Sequence, residues 1–205
     1  KFIIMWQSLV KNYVHIVFST KYRTPWIQEE YEDILFCYLG ALCNDHDCQP
    51  MRVGGYLDHV HILCKLSRNI ALAELVSKVK SVSSGWYKKQ HDELKGFYWQ
   101  NGYGAFSVNP TSINSVIKYI ENQRIHHQHQ DFQNEFRGYM KKYKMDYDER
   151  YVWDWWESIS VGNLGALAFR PTLWGNALSG LNVPKALKER LPPGLVERPT
   201  LINPN

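Results

Sequence analysis

Two short segments, about sixty residues apart, carry the residue types that could do chemistry. Asp58-His59-Val60-His61-Ile62-Leu63 sets two imidazoles two positions apart, and Tyr119-Ile120-Glu121-Asn122-Gln123 sets a phenol and an amide four positions apart. On a strand, residues i and i+2 point to one side, so His59 and His61 can offer two neutral ring nitrogens to one ion. On a helix, Tyr119 and Gln123 lie about 40° apart on one face. Each segment alone has a plainer explanation. The chain holds eight histidines, so an isolated H-x-H carries little weight, and a helical tyrosine is most simply a surface residue making one hydrogen bond. Together they supply metal ligands and a nucleophile, the parts needed to open a phosphodiester and hold one end covalently.

Two imidazoles, an amide and water suit Mg²⁺ or Mn²⁺ better than a closed zinc site. An open coordination position could take a phosphate oxygen and polarise the phosphorus. A phenol, with a pKa of about 10, is a weak nucleophile until its proton is drawn off. No general base stands out in the sequence; water or the DNA phosphate could serve. Ser115 and His126 share the polar face of Tyr119 and Gln123, which makes His126 a rival ligand and His127 a less well placed one.

These side chains need a scaffold. Residues 12–19 alternate as a strand with Val14, Ile16 and Phe18 on one face. Residues 28–44 read as a helix on the spacing of Ile34, Leu35, Tyr38, Leu39 and Leu42. Pro50 opens a strand through Val53, with Gly54-Gly55 as a turn or bulge. Residues 58–66 form the next strand, with Val60, Ile62 and Cys64 on one side and His59, His61, Leu63 and Lys65 on the other. A helix over 70–90 presents Leu72, Leu75, Val76, Val79, Val82 and Trp86. Phe97–Val108 reads as extended chain broken at Gly102 and Gly104. A third helix starts at Asn109-Pro110-Thr111-Ser112 and runs to about Gln128, capped by Asn109 or by a hydroxyl after Pro110; Ile113, Val116, Ile117 and Ile120 form its apolar stripe. The order strand-helix-strand-strand-helix-strand-helix predicts an α+β, ferredoxin-like (split β-α-β) fold. Its antiparallel sheet carries helices on one face and leaves the other free for a ligand, with an extra C-terminal catalytic helix.

Composition bounds the rest. The chain has 205 residues, 44% of them hydrophobic and 21% charged, enough for one domain with a core. Net charge is +4 and the pI about 8.8, which permits nucleic acid without demanding it. The 13 tyrosines and 8 tryptophans are mainly core material that could also stack on bases. Cys37, Cys43, Cys48 and Cys64 show no C-x-x-C and read as unpaired intracellular thiols rather than a Cys43/His46/Cys48 metal site. No run is long and apolar enough for a membrane span, and Phe2–Trp6 is too short for a signal peptide. The expected location is cytoplasmic. The chain opens at Lys1, and residues 1–4 are expected to lie upstream of a natural start at Met5. Six of the nine prolines fall after Trp156. Residues 1–156 are therefore expected as the working domain and 157–205 as a Pro-rich appendage without an assigned role, with at most a short helix over 186–191.

Read in order, Tyr13-Val14-His15-Ile16-Val17-Phe18-Ser19-Thr20-Lys21-Tyr22-Arg23, His59-Val60-His61-Ile62-Leu63, Trp99–Val108, Tyr119–Arg124 and His126-His127 resemble the single-tyrosine HUH transposases of the insertion-sequence 200/605 family, including the REP-associated branch. The resemblance runs from about Tyr13 to Trp153. It implies a ferredoxin-like HUH domain acting on single-stranded DNA, with His59 and His61 as metal ligands, Gln123 as the third protein ligand and Tyr119 as the nucleophile. It further implies a 5′-phosphotyrosine and a free 3′-OH, rejoining by a second 3′-OH, recognition of hairpins near element ends, and a homodimer in which active sites can assemble in trans. The tail after about 157 lies outside it.

Three other readings fit part of this pattern. A rolling-circle or mobilisation nickase shares the H-U-H strand and tyrosine, but the size, the single tyrosine followed by Gln123 and the Trp99–Val108 segment favour the transposase. An RRM-like binding module, stacking bases on Tyr13 or Tyr56, leaves His59 and His61 without a reason. A domesticated relative would bind hairpins without cutting. Outside the site, Lys21, Arg23, Lys78, Lys80, Lys88 and Lys89 are candidates for contacts to the DNA backbone, weighed against ordinary solvated side chains.

Overall fold

The computed structural model describes residues 9–128 and 130–152. The appendage expected at 157–205, its helix over 186–191, the boundary at 156 and the first eight residues lie outside the described residues. Strands β1 (Tyr13–Ser19), β2 (Gln49–Tyr56), β3 (His59–Lys65) and β4 (Gly104–Ser107) form one sheet in the order β2-β3-β1-β4. Every neighbouring pair is antiparallel. Helix α1 (Glu29–Asp45) carries the chain from β1 to β2, and α2 (Leu72–Tyr87) from β3 towards β4. This is the ferredoxin-like arrangement.

Alternation along the strands sorts the side chains into two layers. Val14, Ile16 and Phe18 of β1 sit in register with Cys64, Ile62 and Val60 of β3. All six pack in one core with Ile34, Leu35, Tyr38, Leu39 and Leu42 of α1 and Leu75, Val76 and Val79 of α2. The apolar spacing that predicts both helices is thus the face each buries. All four thiols are free, and Cys43, Cys48 and Cys64 are buried.

The other face differs from the expectation of an open sheet. Helix α3 (Ile113–Glu121), the short α4 (Gln123–His126) and α5 (Phe132–Lys142) cover it. His59, His61 and Leu63 have no solvent exposure. The covering residues are Ile120, Ile113, Val116 and Ile117 of α3 and Phe132 and Phe136 of α5. A sheet face carrying Val17, Leu63 and Phe106 is too apolar to stay wet. The chain after Val108 supplies the cover, and α5 is an addition to the elements expected from the sequence.

Two glycines let that layer approach. Gly54, opposite His61, would place a Cβ 2.8 Å from Ile120 Cγ2 and 3.0 Å from the Ile120 carbonyl oxygen. Gly104, opposite Val17, would place one 2.6 Å from the Phe136 ring. β2 accordingly runs on through Gly54 and Gly55 to Tyr56 instead of turning there, and its irregularity lies between Pro50 and Arg52. Pro50 is tolerated because β2 is an edge strand. The third helix does not run unbroken to Gln128. Asn122 (φ −95°, ψ 16°) separates α3 from α4. Of the two candidate caps it is Asn109 that acts, its side chain accepting from the Thr111 N–H at 3.0 Å.

Among the described residues, no helix is long and apolar enough to cross a membrane.

Candidate active site

β3 delivers His59 and His61 to the covered face, as the i, i+2 rule requires. The break at Asn122 turns Gln123 inward, where it is buried and holds its Oε1 3.2 Å from His59 Nε2. α5 adds Glu135, whose carboxylate oxygens lie 3.7 Å from His59 Nε2 and 3.5 Å from His61 Nε2. Gln123 Nε2 donates to Glu135 Oε1 at 3.2 Å. One ligand atom each from His59, His61 and Glu135 falls within 4.8 Å of the others, the one such cluster among the described residues.

Glu135 is absent from the residues expected at the site, although a sequence signal exists. Phe132, Phe136, Tyr139 and Met140 repeat at i, i+4, i+7 and i+8, with Asp131 capping through Asn134 N–H at 2.8 Å. Glu135 occupies the i+3 position of that apolar stripe. A carboxylate on the buried side of a helix needs a partner, which makes it a ligand candidate.

Of the two histidines after Gln123, the less well placed His127 is the one that meets the cluster, while His126 keeps its place beside Tyr119. His127 points into the cluster, with Nε2 2.9 Å from Gln123 Oε1 and 3.1 Å from Glu135 Oε2. His126 instead lies against Tyr119, with ring centroids 5.3 Å apart. The kink at Asn122 rotates the residues beyond it, so an unbroken helical wheel misplaces His127.

Tyr119 is half-buried at the mouth of the cluster. Its ring stands edge-on to His61 at 5.9 Å and to His15 at 6.4 Å. A cleft of ≈ 450 Å³ opens beside it, lined by His15, Ser115, Tyr119, His126, Glu135 and Lys142 among others. Glu135 therefore borders both the buried cluster and the solvent-open cleft.

Burial governs the protonation states. It holds His61 well below the ordinary imidazole value, with the neighbouring His59 and His15 adding to the effect. Burial also lowers His15 to about 4, helped by Lys142, and His127 to about 4, helped by His59. It raises the Glu135 carboxyl to about 8, with Asp58 adding a like charge. His61 Nε2 is a buried nitrogen without a hydrogen-bond partner. Leaving such an atom unpaired costs about 1–3 kcal/mol. A divalent cation would take its lone pair, ionise Glu135 and coordinate Gln123 Oε1, so the donor set fits such an ion.

The basic candidates are not gathered here. Lys21 and Arg23 are exposed just beyond β1, on a loop joined to the site by the Thr20 N–H donating to the Asp58 carbonyl at 2.8 Å. Lys78, Lys80, Lys88 and Lys89 belong to α2 and its end, across the sheet. Lys78 pairs with Glu74 at 2.7 Å, Lys80 donates to the Gly102 carbonyl at 2.8 Å, and Lys88 lies 3.1 Å from the centre of the Tyr98 ring.

With this geometry in place, comparison with known proteins decides the family. The model of the IS200-like transposases matches residues 8–123. The chain belongs to that family. The match spans the four strands, Tyr119 and Gln123, and stops short of Glu135. A candidate transposase from Deinococcus radiodurans R1 is similar in structure at 20% identity, over 60% of this chain and 98% of the other, with a TM-score of 0.46. A REP-associated tyrosine transposase bound to a REP hairpin is similar at 13% identity, over 62% of this chain and 74% of the other, with a TM-score of 0.45. No curated protein matches.

Proposed function

We propose that this IS200-like transposase cuts and rejoins single-stranded DNA through Tyr119, beside a divalent cation held by His59, His61 and Gln123 with Glu135. The observation that carries the proposal is the placement of a half-buried phenol 5.9 Å, ring to ring, from an imidazole whose buried Nε2 lacks a partner. The Tyr119 oxygen attacks the scissile phosphorus, and the 3′ oxygen leaves as a free 3′-OH. The 5′ phosphate stays on Tyr119 as a phosphodiester, so the bond energy is kept. A second 3′-OH then attacks that phosphorus and returns the tyrosine. The phenol proton leaves through the solvent-open cleft, where His126 is the nearest imidazole. Mg²⁺ or Mn²⁺, when bound, supplies charge stabilisation at the phosphorane.

In this proposal residues 1–156 form the catalytic domain, acting in the cytoplasm as a homodimer on DNA hairpins near element ends. Lys21 and Arg23 hold the strand entering the site. The lysines of α2 reach only DNA that passes across the sheet, away from the scissile bond. Incubation with single-stranded hairpin DNAs and Mn²⁺, followed by peptide mass analysis, is the test. An adduct on Tyr119, lost in Tyr119→Phe while hairpin binding persists, is expected; an adduct retained in Tyr119→Phe overturns the assignment.

A further inference from the structure

Each imidazole facing the cluster has its outer nitrogen engaged. His59 Nδ1 lies 2.7 Å from Asp58 Oδ1. His61 Nδ1 lies 2.9 Å from His15 Nε2, the two rings stacked at 5.1 Å. His127 Nδ1 lies 2.7 Å from the Gln130 carbonyl oxygen. A carbonyl oxygen can only accept, so His127 Nδ1 carries a proton and, in the neutral ring, Nε2 carries the lone pair. That lone pair points at Gln123 Oε1 and Glu135 Oε2, at 2.9 and 3.1 Å. Gln123 Oε1 is itself an acceptor 3.2 Å from His59 Nε2. Gln123 Oε1 thus lies within 3.2 Å of ring nitrogens of both His59 and His127, at the edge of the His59, His61 and Glu135 cluster, and a cation there would satisfy these acceptors together. The Tyr56 ring, stacked on His127 at 5.2 Å and 9°, fixes the third imidazole in place.

We infer that His127 is a third imidazole ligand of the metal centre, and that Asp58, His15 and the Gln130 carbonyl are positioning groups that lock all three Nε2 atoms inward. The inference rests on the proposed function in one respect only, that the cluster holds a divalent cation. Outer-shell acceptors of this kind orient ligating histidines and raise their basicity. Three imidazoles with one carboxylate also make a more nitrogen-rich site than two imidazoles and an amide. It therefore favours Mn²⁺ over Mg²⁺, the borderline ion over the hard one. His15 reaches His61 as a diagonal neighbour across the β1–β3 pair, since its direct partner is Leu63.

The test is pulsed electron paramagnetic resonance of the full chain titrated with Mn²⁺, read beside thermal unfolding of each variant. Three coordinated histidine nitrogens are expected in the wild type, and two in His127→Ala with Mn²⁺ affinity about 10–100-fold weaker. His15→Phe keeps the stacked ring but removes the acceptor, and should weaken Mn²⁺ similarly, whereas His15→Gln, which restores an acceptor near the same place, should recover most of the affinity. Two nitrogens in the wild type, or unchanged affinity in a folded His127→Ala, overturns the ligand assignment. Unchanged affinity in a folded His15→Phe overturns its positioning role. Nitrogen NMR of the metal-free chain gives a second readout, and a proton on Nε2 of His61 or His127 contradicts the lock. Loss of Mn²⁺ binding in His61→Ala with none in His127→Ala leaves the proposed function standing while this inference falls; equal Mn²⁺ binding in wild type and His61→Ala fells both.

Discussion

At the scale of single residues, Glu135 sets the pH behaviour of the centre. Its carboxyl is raised to about 8 by burial and by Asp58. Below that pH a proton occupies it and must leave when a cation binds. His61 and His127 are held low and are already neutral there. Mn²⁺ affinity should therefore rise with pH between 6 and 8, by up to about tenfold per unit, one proton being released. Glu135→Gln removes that proton and should flatten the slope while weakening binding. Calorimetric titration at pH 6, 7 and 8 checks this, and an unchanged slope in the variant would show that the carboxyl does not meet the ion. His59 and His61 are legible in the sequence because strand alternation is local. Glu135 and His127 are less so, because what matters for each is the element packed beside it.

At the scale of elements, the site depends on how closely α3 and α5 lie on the sheet. Gly104 is where α5 comes down, with the Phe136 ring 2.6 Å from the position a Cβ would take. Gly104→Ala should push α5 outward and cost about 1–3 kcal/mol, a fall in melting temperature of about 2–4 °C per kcal/mol. Because Glu135 rides on α5, Mn²⁺ affinity should fall with it. Gly85, exposed within α2 with nothing within 4 Å of its absent Cβ, is the control. Gly85→Ala should stabilise by up to about 1 kcal/mol through helix propensity, without touching metal binding. Differential scanning calorimetry of both variants decides; equal melting temperatures would mean α5 has room to spare. Helices α1 and α2 are readable from apolar spacing. The kink at Asn122 is not, because no proline or glycine marks it.

At the scale of the whole molecule, Tyr119 and Gln123 reach the histidines of their own chain. The proposed homodimer can draw Tyr119 and the two histidines from one chain or from two. Mixing Tyr119→Phe with His61→Ala chains distinguishes them. In cis, each dimer site lacks one part and no adduct forms. In trans, a mixed dimer rebuilds one complete site and adduct returns at a fraction of the wild-type yield. Denaturing gels of the mixed sample read this directly, alongside each single variant.

The sequence alone determined the strand and helix order as far as the third helix, the layer each strand face belongs to, and the pairing of an H-x-H strand with a tyrosine helix. These come from periods of two and 3.6 residues, which depend only on near neighbours. Tertiary structure alone decided that the histidine face is covered rather than open, that a carboxylate from α5 joins it, and that His127 rather than His126 turns inward. Those outcomes depend on contacts between residues far apart in the chain, such as Gly104 with Phe136 and His61 with Glu135. No local pattern encodes such contacts; the burial of a shared apolar face creates them.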